Sequence, residues 1–350
     1  PGNAGDGCAG DGEGGPILGS LLEGWLKRRL ALKRLRRTLA KGTDERRFCD
    51  ERISAIKMIL VTIYGVSGCC RNRFGNPVVF EEINRRSREA MVAAKRVADA
   101  MGYRVVYADV DSVFVTRRGA SLADYSDLAD AIGSETGLSI SIDRHFRFLA
   151  FPMLRRDRSS AALKRYFGIT YDGEVEARGI EMRRGDLPES VRRFQEDLIR
   201  EVLSCRDSGE VLSVGVRMGE ALLRRAIRET GAGAVSKEDL VVRRRLGMDP
   251  WSYRVSSAQR SAALQLLALG RGTSPGEEVE FICSSASHPN PLCRVKVPDL
   301  FSGSFDRAYY ARLLVEAART VFEGIGAAVN VREVAVSSRQ AELGRWMGGV

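Results

Sequence analysis

The sequence predicts an α+β protein, and three observations support this prediction. Helical periodicity occurs twice in residues 16–64, with a short break between the two stretches. Residues 104–115 contain two short runs of β-branched residues separated by aspartates, which is the pattern of a hairpin packed on helices. Further strand-like runs lie between helical stretches as far as about residue 186, and the remainder is mostly helical. Small sheets packed with helices are therefore expected.

Length, charge and cysteine content indicate a globular protein that binds an anionic partner and has neither a disulfide framework nor a structural zinc site. With 44% apolar residues, 350 residues provide enough core for two or three subdomains. The net charge of +10, from 55 Lys and Arg against 45 Asp and Glu, favours an anionic partner such as nucleic acid. Seven Cys without a pattern and only two His argue against a disulfide framework and a structural zinc site.

The sequence contains no apolar run long enough to cross a membrane and no secretory signal pattern. We therefore expect a cytoplasmic, nucleoid-associated protein with no membrane partner. The chain begins at Pro1 without an initiator Met, which suggests a processed product, a fragment or an incomplete gene model.

The first half of the chain is predicted to open with a flexible Gly-rich tail, residues 1–15, and to continue as a helical hairpin. A basic amphipathic helix runs from Ile17 to about Leu39, and a second helix runs from Asp44, capped by Thr43, to Ile63. A Gly-rich turn at 65–76 precedes a third helix, 80–101, which ends at Gly102. The carboxylate-bearing hairpin follows.

The second half is predicted to contain short strands and five more helices. Strand-like runs are at 138–150, 164–171, 174–182, 239–243 and 278–283, and helical stretches are at 121–132, 189–204, 210–230, 256–269 and 306–324. The change from mixed to mostly helical pattern predicts a boundary near 185–190.

Asp109 and Asp111 are the strongest candidates for catalytic chemistry. Strand periodicity places both carboxylates on one face of an otherwise apolar hairpin, where a hard divalent cation would offset their repulsion. Phosphoryl transfer with two metal ions requires such carboxylates. The alternative is that Asp-Val-Asp forms a solvated hairpin tip with an Asx turn.

The run Tyr107-Ala-Asp-Val-Asp-Ser112 resembles the third polymerase motif of family B DNA polymerases, written YGDTDS or YADTDS, with Val110 in place of Thr. The resemblance implies that Asp111 is a metal ligand and that Asp109 is a supporting acid. It also implies two Mg²⁺ ions as cofactors. The Asp-x-Asp spacing argues against a reverse transcriptase, which would need consecutive aspartates.

The helical hairpin carries cations at spacings that also resemble this family. Arg29 and Lys33 match an R-x3-K helix, and residues 57–65 match K-x3-N-x2-Y-G, with Val61 in place of Asn. The resemblance implies that Arg29, Lys33 and Lys57 bind the triphosphate of the incoming nucleotide and that Tyr64 packs beside the nascent base pair. Alternatively, the cations form a solvated face and Tyr64 packs in a core. Lys57 lies in an apolar run, where an ammonium is costly unless it is paired or reaches outward.

Several later segments resemble elements of the family that hold DNA. Arg73 and Phe74 resemble the Arg-aromatic pair after the Y-G-x-x-G turn, and residues 177–186 resemble a palm strand, R-G-x-E-x-x-R-R-D. Residues 163–166 resemble the KKxY element, with Leu163 in place of its first Lys. The DNA-binding residues implied in this way are Arg73, Lys164, Arg165, Tyr166, Arg183, Arg184, Arg243 and Arg244. A solvated strand edge is the alternative.

The resemblance implies fingers at 16–64, a C-terminal palm at 65–187 and a thumb at 188–350. The family's earlier palm motif, D-F-x-S-L-Y-P-S, and its exonuclease motif are absent from the sequence. We therefore expect the C-terminal part of a split or truncated DNA polymerase that extends a primer 3′ end with dNTPs. It would require an N-terminal polypeptide that supplies the missing palm motif and exonuclease. The alternative is a catalytically degenerate, DNA-binding accessory subunit, which Val61, Val110 and Leu163 favour.

Overall fold

The computed structural model describes residues 17–40, 42–153, 162–331 and 333–334. The chain divides into two compact units, Pro1–Ser141 and Ile142–Val350. The predicted tail, 1–15, and the end of the predicted thumb lie outside the described residues. Within the described ranges, no helix is both long and apolar enough to cross a membrane.

The first unit contains four helices and a two-stranded antiparallel sheet among its described residues, and these match the predicted order. The elements are α1 (Ile17–Thr38), α2 (Asp44–Ser67), α3 (Pro77–Ala100), β1 (Arg104–Asp109), β2 (Ser112–Thr116) and α4 (Leu122–Thr136). The β1–β2 hairpin and α4 pack on α3 around a core formed by Ala94, Ala98, Tyr103, Leu128 and Ile132.

Side-chain caps determine where these helices begin. The Thr43 hydroxyl accepts a hydrogen bond from the Arg46 backbone N–H, as predicted. Asn76 caps α3 with Pro77 in its first turn, so α3 begins three residues before the predicted position. The predicted turn at 65–76 is wrong at its start, because α2 continues through Gly65 to Ser67.

The second unit is built on two three-stranded antiparallel sheets. The first has the order β3 (Phe146–Ala150), β4 (Tyr166–Thr170), β5 (Val175–Arg178), and the second has the order β6 (Val242–Arg245), β7 (Glu278–Cys283), β8 (Val295–Lys296). The helices are α5 (Glu189–Val202), α6 (Ser208–Glu210), a π turn (Val211–Gly215), α7 (Val216–Ala232), α8 (Ala258–Ala268) and α9 (Arg307–Gly324). β8 has no counterpart in the prediction.

Three predicted strands have bounds that differ from the prediction. Residues 138–145 have no regular secondary structure, so β3 covers only the end of the run at 138–150. The run at 174–182 ends as a strand at Arg178, because Gly179 has a φ of +69° and Glu181–Arg183 forms a 3-10 helix. The strand predicted at 239–243 likewise starts only at Val242, after a 3-10 turn.

The main core of the second unit joins residues on both sides of the predicted palm–thumb boundary at 187/188. Phe167 and Ile180 lie in the same buried cluster as Leu198, Leu223 and Val321. The compact division falls between 141 and 142, and within the second unit α5 packs on β4 and β5. The assignment of fingers, palm and thumb remains a prediction.

Candidate active site and nucleic-acid interface

The two candidate metal ligands lie at the tip of the β1–β2 hairpin. Asp109 pairs with Ser112, and Val110 and Asp111 form the turn between the strands. The prediction that strand alternation places both acids on one face is therefore wrong, because β1 ends at Asp109 and Asp111 belongs to the turn. Asp109 is half-buried, and its Oδ1 accepts a hydrogen bond from the Val110 N–H over 2.9 Å, whereas Asp111 is exposed.

Two carboxylates, one at the end of β1 and one in the turn that follows, fit part of a magnesium site. Their oxygens are the hard ligands that this ion prefers, but magnesium usually has further ligands from water and phosphates. Among the residues that the structure describes, no group of three or more His, Cys, Asp and Glu could hold a metal ion. The hydrogen bond of Asp109 to the turn is also compatible with the solvated-tip alternative.

Tyr103, Arg117 and Asp124 pack together at the end of the β1–β2 hairpin opposite the acids. The Arg117 guanidinium lies over the Tyr103 ring, 4.4 Å from its centroid, and donates a hydrogen bond to Asp124 over 2.6 Å. Tyr103 is 2% exposed. Burial raises the pKa of the Tyr103 hydroxyl. Tyr103 directly precedes β1 and Arg117 directly follows β2. The contacts of these two residues therefore hold the ends of the hairpin that are farthest from the acids.

The predicted nucleotide-binding cations lie on the surface of the α1–α2 hairpin. Lys33 and Lys57 are exposed, and Arg29 is half-buried. Lys57 lies in an apolar stretch of the sequence, but its side chain is exposed to solvent, because Ile53 and Ile56 occupy the buried face of α2. The Nε of Arg29 is buried and has no hydrogen-bond partner among the described residues.

Tyr64 is fixed by contacts with α3. Its hydroxyl donates a hydrogen bond to Asn84 Oδ1 over 2.6 Å, and its ring stacks on Phe80 with centroids 4.9 Å apart. The ring is still 38% exposed, so it is neither fully a core residue nor free to rotate. Nearby, the Arg73 guanidinium lies 6.0 Å from the Phe74 ring centroid, and both residues are exposed.

The structure brings two of the predicted DNA-binding motifs together. Tyr166 pairs with Arg178 across β4 and β5, and Arg165 Nε donates a hydrogen bond to the Gly179 carbonyl over 2.9 Å. A Cβ on Gly179 would lie 2.6 Å from the Lys164 carbonyl oxygen, so only glycine permits this approach. Lys164 has a φ of +59°, a conformation that costs about 1 kcal/mol in a non-glycine residue.

Four further predicted DNA-binding arginines form ion pairs with acids while remaining partly exposed. Arg183 pairs with Glu176, Arg243 pairs with Glu280, and both Arg184 and Arg244 pair with Asp186. Arg184 makes two hydrogen bonds with Asp186, of 2.9 and 2.8 Å, and these hold the pKa of the Asp186 carboxyl below its usual value. Arg183 lies on the 3-10 helix rather than on a strand.

Sequence reasoning missed a buried hydrogen-bond network centred on Gln195. Its side chain is fully buried; Oε1 accepts from the Met182 N–H, and Nε2 donates to Glu181 and to the Ala317 carbonyl. Glu181 also accepts from the Thr320 hydroxyl over 3.1 Å and lies 3.7 Å from the Arg165 guanidinium. Gln195 lies four residues after Val191 and three before Leu198 on the buried face of α5, and a polar residue at such a position is the signal that could have revealed it.

Comparisons with known proteins identify what this arrangement resembles. The family model described as DNA polymerase family B matches residues 11–300. The DNA polymerase of Archaeoglobus fulgidus is 28% identical over 245 residues, which cover 70% of this chain and 29% of that protein. DNA polymerase 2 of Aeropyrum pernix is 26% identical over 269 residues, which cover 77% of this chain and 31% of that protein.

A solved structure has a similar fold. The family B DNA polymerase of the hyperthermophilic archaeon Pyrobaculum calidifontis matches with a TM-score of 0.57 and 21% identity, covering 87% of this chain and 37% of that one. The present chain thus spans about a third of the length of the curated relatives it matches.

Proposed function

Because the chain belongs to DNA polymerase family B, we propose that it forms part of the active site of a DNA-directed DNA polymerase. The observation that carries this proposal is the pair of carboxylates, Asp109 and Asp111, at the tip of a hairpin whose base is packed on α3 and α4. The reaction is the attack of a primer 3′ hydroxyl on the α-phosphate of a dNTP, with release of pyrophosphate.

Asp109 and Asp111 are the residues that would hold magnesium. When bound, the ions would offset the negative charge that develops on the phosphate oxygens. Arg29, Lys33 and Lys57 would bind the triphosphate, and the exposure of both lysines on the α1–α2 hairpin supports that role. Tyr64, held by its hydrogen bond to Asn84, would present a fixed ring edge to the nascent base pair.

The second unit would hold the primer–template duplex. Lys164, Arg165 and Tyr166 lie beside Arg178 and Gly179, and Arg183, Arg184, Arg243 and Arg244 retain exposed guanidinium surface although they are paired. Cations that contact phosphates without reading base edges suit an enzyme that must copy every sequence.

The active site requires a further acid from outside these 350 residues, and we propose that a separate N-terminal polypeptide with the exonuclease supplies it. The motif D-F-x-S-L-Y-P-S is absent from the sequence. Among the described residues, β1 and β2 pair only with each other, so both outer edges of this sheet are available to a further strand. Such a strand could bring the missing acid beside Asp109 and Asp111.

Primer extension by the chain, alone and mixed with a polypeptide carrying the D-F-x-S-L-Y-P-S motif, tests this proposal. We expect extension only in the mixture, and we expect Asp111→Asn to reduce it at least about a hundredfold. Asp130→Asn is the matched control, because Asp130 is an exposed acid of α4 and not part of the β1–β2 hairpin. Equal synthesis by Asp111→Asn and the parent would contradict the catalytic role.

A DNA-binding accessory subunit is the second candidate function. Three apolar residues replace polar family residues and are strongly exposed: Val61 at 51%, Val110 at 70% and Leu163 at 78%. In that case the chain would bind primer–template DNA with an affinity that falls steeply with salt, as phosphate contacts require. It would support no extension with any partner polypeptide.

A further inference from the structure

An exposed aromatic turn in the second unit has no role in the proposed reaction. Trp251 lies in a 3-10 turn, Pro250–Ser252, between β6 and α8, and it is 72% exposed. Arg254 and Val255 follow it on the same surface, and Val255 is 74% exposed. We define residues 251–255 as the Trp251 turn. An exposed indole offers a large, flat apolar surface on which a ligand can stack.

The Trp251 turn is held in one conformation by three hydrogen bonds. Asp249 Oδ1 accepts from the Trp251 N–H over 2.9 Å, and the Pro250 carbonyl accepts from Arg260 Nε over 3.1 Å. The Tyr253 hydroxyl accepts from the Gly247 N–H over 2.8 Å, which directs this ring inward while its neighbours stay exposed. The backbone of the turn is therefore preorganised, and a ligand of the indole would not have to order it.

The charge around the turn favours an anionic ligand. Residues 242–276 contain six arginines and one acid, Asp249, but Arg243, Arg244 and Arg271 form ion pairs with acids outside this segment. Asp249 already caps the turn. Neither Arg245 nor Arg254 has an ion pair within the described part of the chain, and both are exposed. A purely apolar partner would leave these cations without a counter-charge.

We propose that the Trp251 turn binds an unpaired base of single-stranded DNA, with the indole of Trp251 stacked on the base and Arg254 contacting its phosphate. Aromatic rings joined to cations are the usual means of binding single strands without sequence preference. A base inside a duplex is already stacked on both faces, so the indole discriminates unpaired from paired DNA. This inference goes beyond the proposed function, because the turn takes no part in phosphoryl transfer.

The affinity of the full chain for a labelled oligothymidylate, measured by fluorescence anisotropy, tests the proposal. We expect Trp251→Ala to weaken binding about tenfold, Trp251→Phe to retain most of the affinity, and Arg254→Gln to reduce the salt dependence. Affinity for a blunt duplex of the same length should be unchanged by Trp251→Ala. Tyr171→Ala is the matched control, because Tyr171 is an aromatic residue that is 67% exposed elsewhere in the unit.

Photocrosslinking to an oligonucleotide containing 5-iododeoxyuridine provides a second readout that altered folding would not mimic. The proposal expects the crosslink, located by mass spectrometry, at Trp251. It is overturned if the crosslink falls only elsewhere, if Trp251→Ala leaves oligothymidylate binding intact, or if it weakens duplex binding equally. Neither measurement depends on primer extension. Failure of this inference is therefore distinguishable from failure of the proposed function.

Discussion

The fully buried amide of Gln195 donates a hydrogen bond to the Glu181 carboxylate over 2.8 Å. The same nitrogen donates to the Ala317 carbonyl over 2.9 Å, so this one side chain connects α5 with the 3-10 helix at 181–183 and with α9. The 3-10 helix carries Arg183, and Glu181 also lies near Arg165. The buried network thus fixes the elements that bear two of the proposed DNA contacts.

Replacing Gln195 with Leu should destabilise the second unit by about 2–4 kcal/mol. The substitution leaves the buried Met182 N–H without its acceptor and removes a donor from Glu181. Denaturant unfolding followed by circular dichroism measures the change in the free energy of unfolding. Asp197→Leu, at an exposed position of α5, should change it by less than about 0.5 kcal/mol. Equal effects of the two substitutions would refute the structural role of the network.

Alanine at Gly179 should both destabilise the protein and weaken duplex binding. Besides the strained φ of +69°, the new Cβ would collide with the Lys164 carbonyl and displace the Lys164–Tyr166 segment. Gly173→Ala is a matched control, because Gly173 has a φ of +81° but nothing within 4 Å of an added Cβ. We expect about 1 kcal/mol of destabilisation from Gly173→Ala and at least about 2 kcal/mol from Gly179→Ala.

Titration of duplex DNA against the two alanine variants distinguishes the effect of backbone strain, which both variants share, from displacement of the Lys164–Tyr166 segment, which only Gly179→Ala causes. Gly179→Ala should lower the affinity several-fold, whereas Gly173→Ala should bind like the parent. Similar affinities for both variants would mean that the close approach of Gly179 to Lys164 has no part in DNA binding.

The contribution of Asp186 to stability should depend on pH. Its hydrogen bonds from Arg184 lower the pKa of the folded-state carboxyl below the ordinary value of 3.8. The stabilisation is therefore complete above that value and is lost as the pH falls through the lower folded-state pKa. Asp186→Asn should be less stable than the parent by less than about 1 kcal/mol at pH 7, since the pair is partly exposed.

Unfolding curves of Asp186→Asn and the parent at a series of pH values test this dependence. The difference in the free energy of unfolding should shrink as the pH falls below 3.8. Asp197→Asn, an exposed acid on α5, serves as the control and should track the parent throughout. A difference that grows on acidification would have the wrong sign for this ion pair.

Cysteine alkylation should distinguish surface thiols from buried ones. Cys69 and Cys70 are exposed, whereas Cys49, Cys205 and Cys283 are buried. Burial raises the pKa of the Cys283 thiol to about 12, so it stays protonated and unreactive at pH 8. Mass spectrometry after iodoacetamide treatment of the folded chain should find Cys69 and Cys70 modified. Modification of Cys283 at the same rate without denaturant would show that this core opens readily.

The helices and the acid-bearing hairpin were predictable because their signals are local. Thr43, Asn76 and Ser121 cap helices whose apolar residues recur at helical spacing, and the two-residue turn at Val110 and Asp111 separates runs of β-branched residues. The sequence motifs for DNA contact at 164–166 and 177–186 also came together as one assembly in the structure.

Features that depend on contacts distant in sequence were not predictable. The amide of Gln195 acquires its role from residues 14 and 122 positions away. The short strand β8 exists because it pairs with the end of β7, and its two residues carry no pattern of their own. The placement of Asp111 failed for a different reason, since alternation along a strand says nothing about where the strand stops.

The unpaired edges of the β1–β2 sheet have a consequence for handling the chain in isolation. Val105, Val106 and Tyr107 form an apolar stretch of β1, and backbone groups along an open edge are a template for another strand. Copies of the chain can therefore add to one another through this hairpin, and purification yield should rise when a complementary strand is co-expressed.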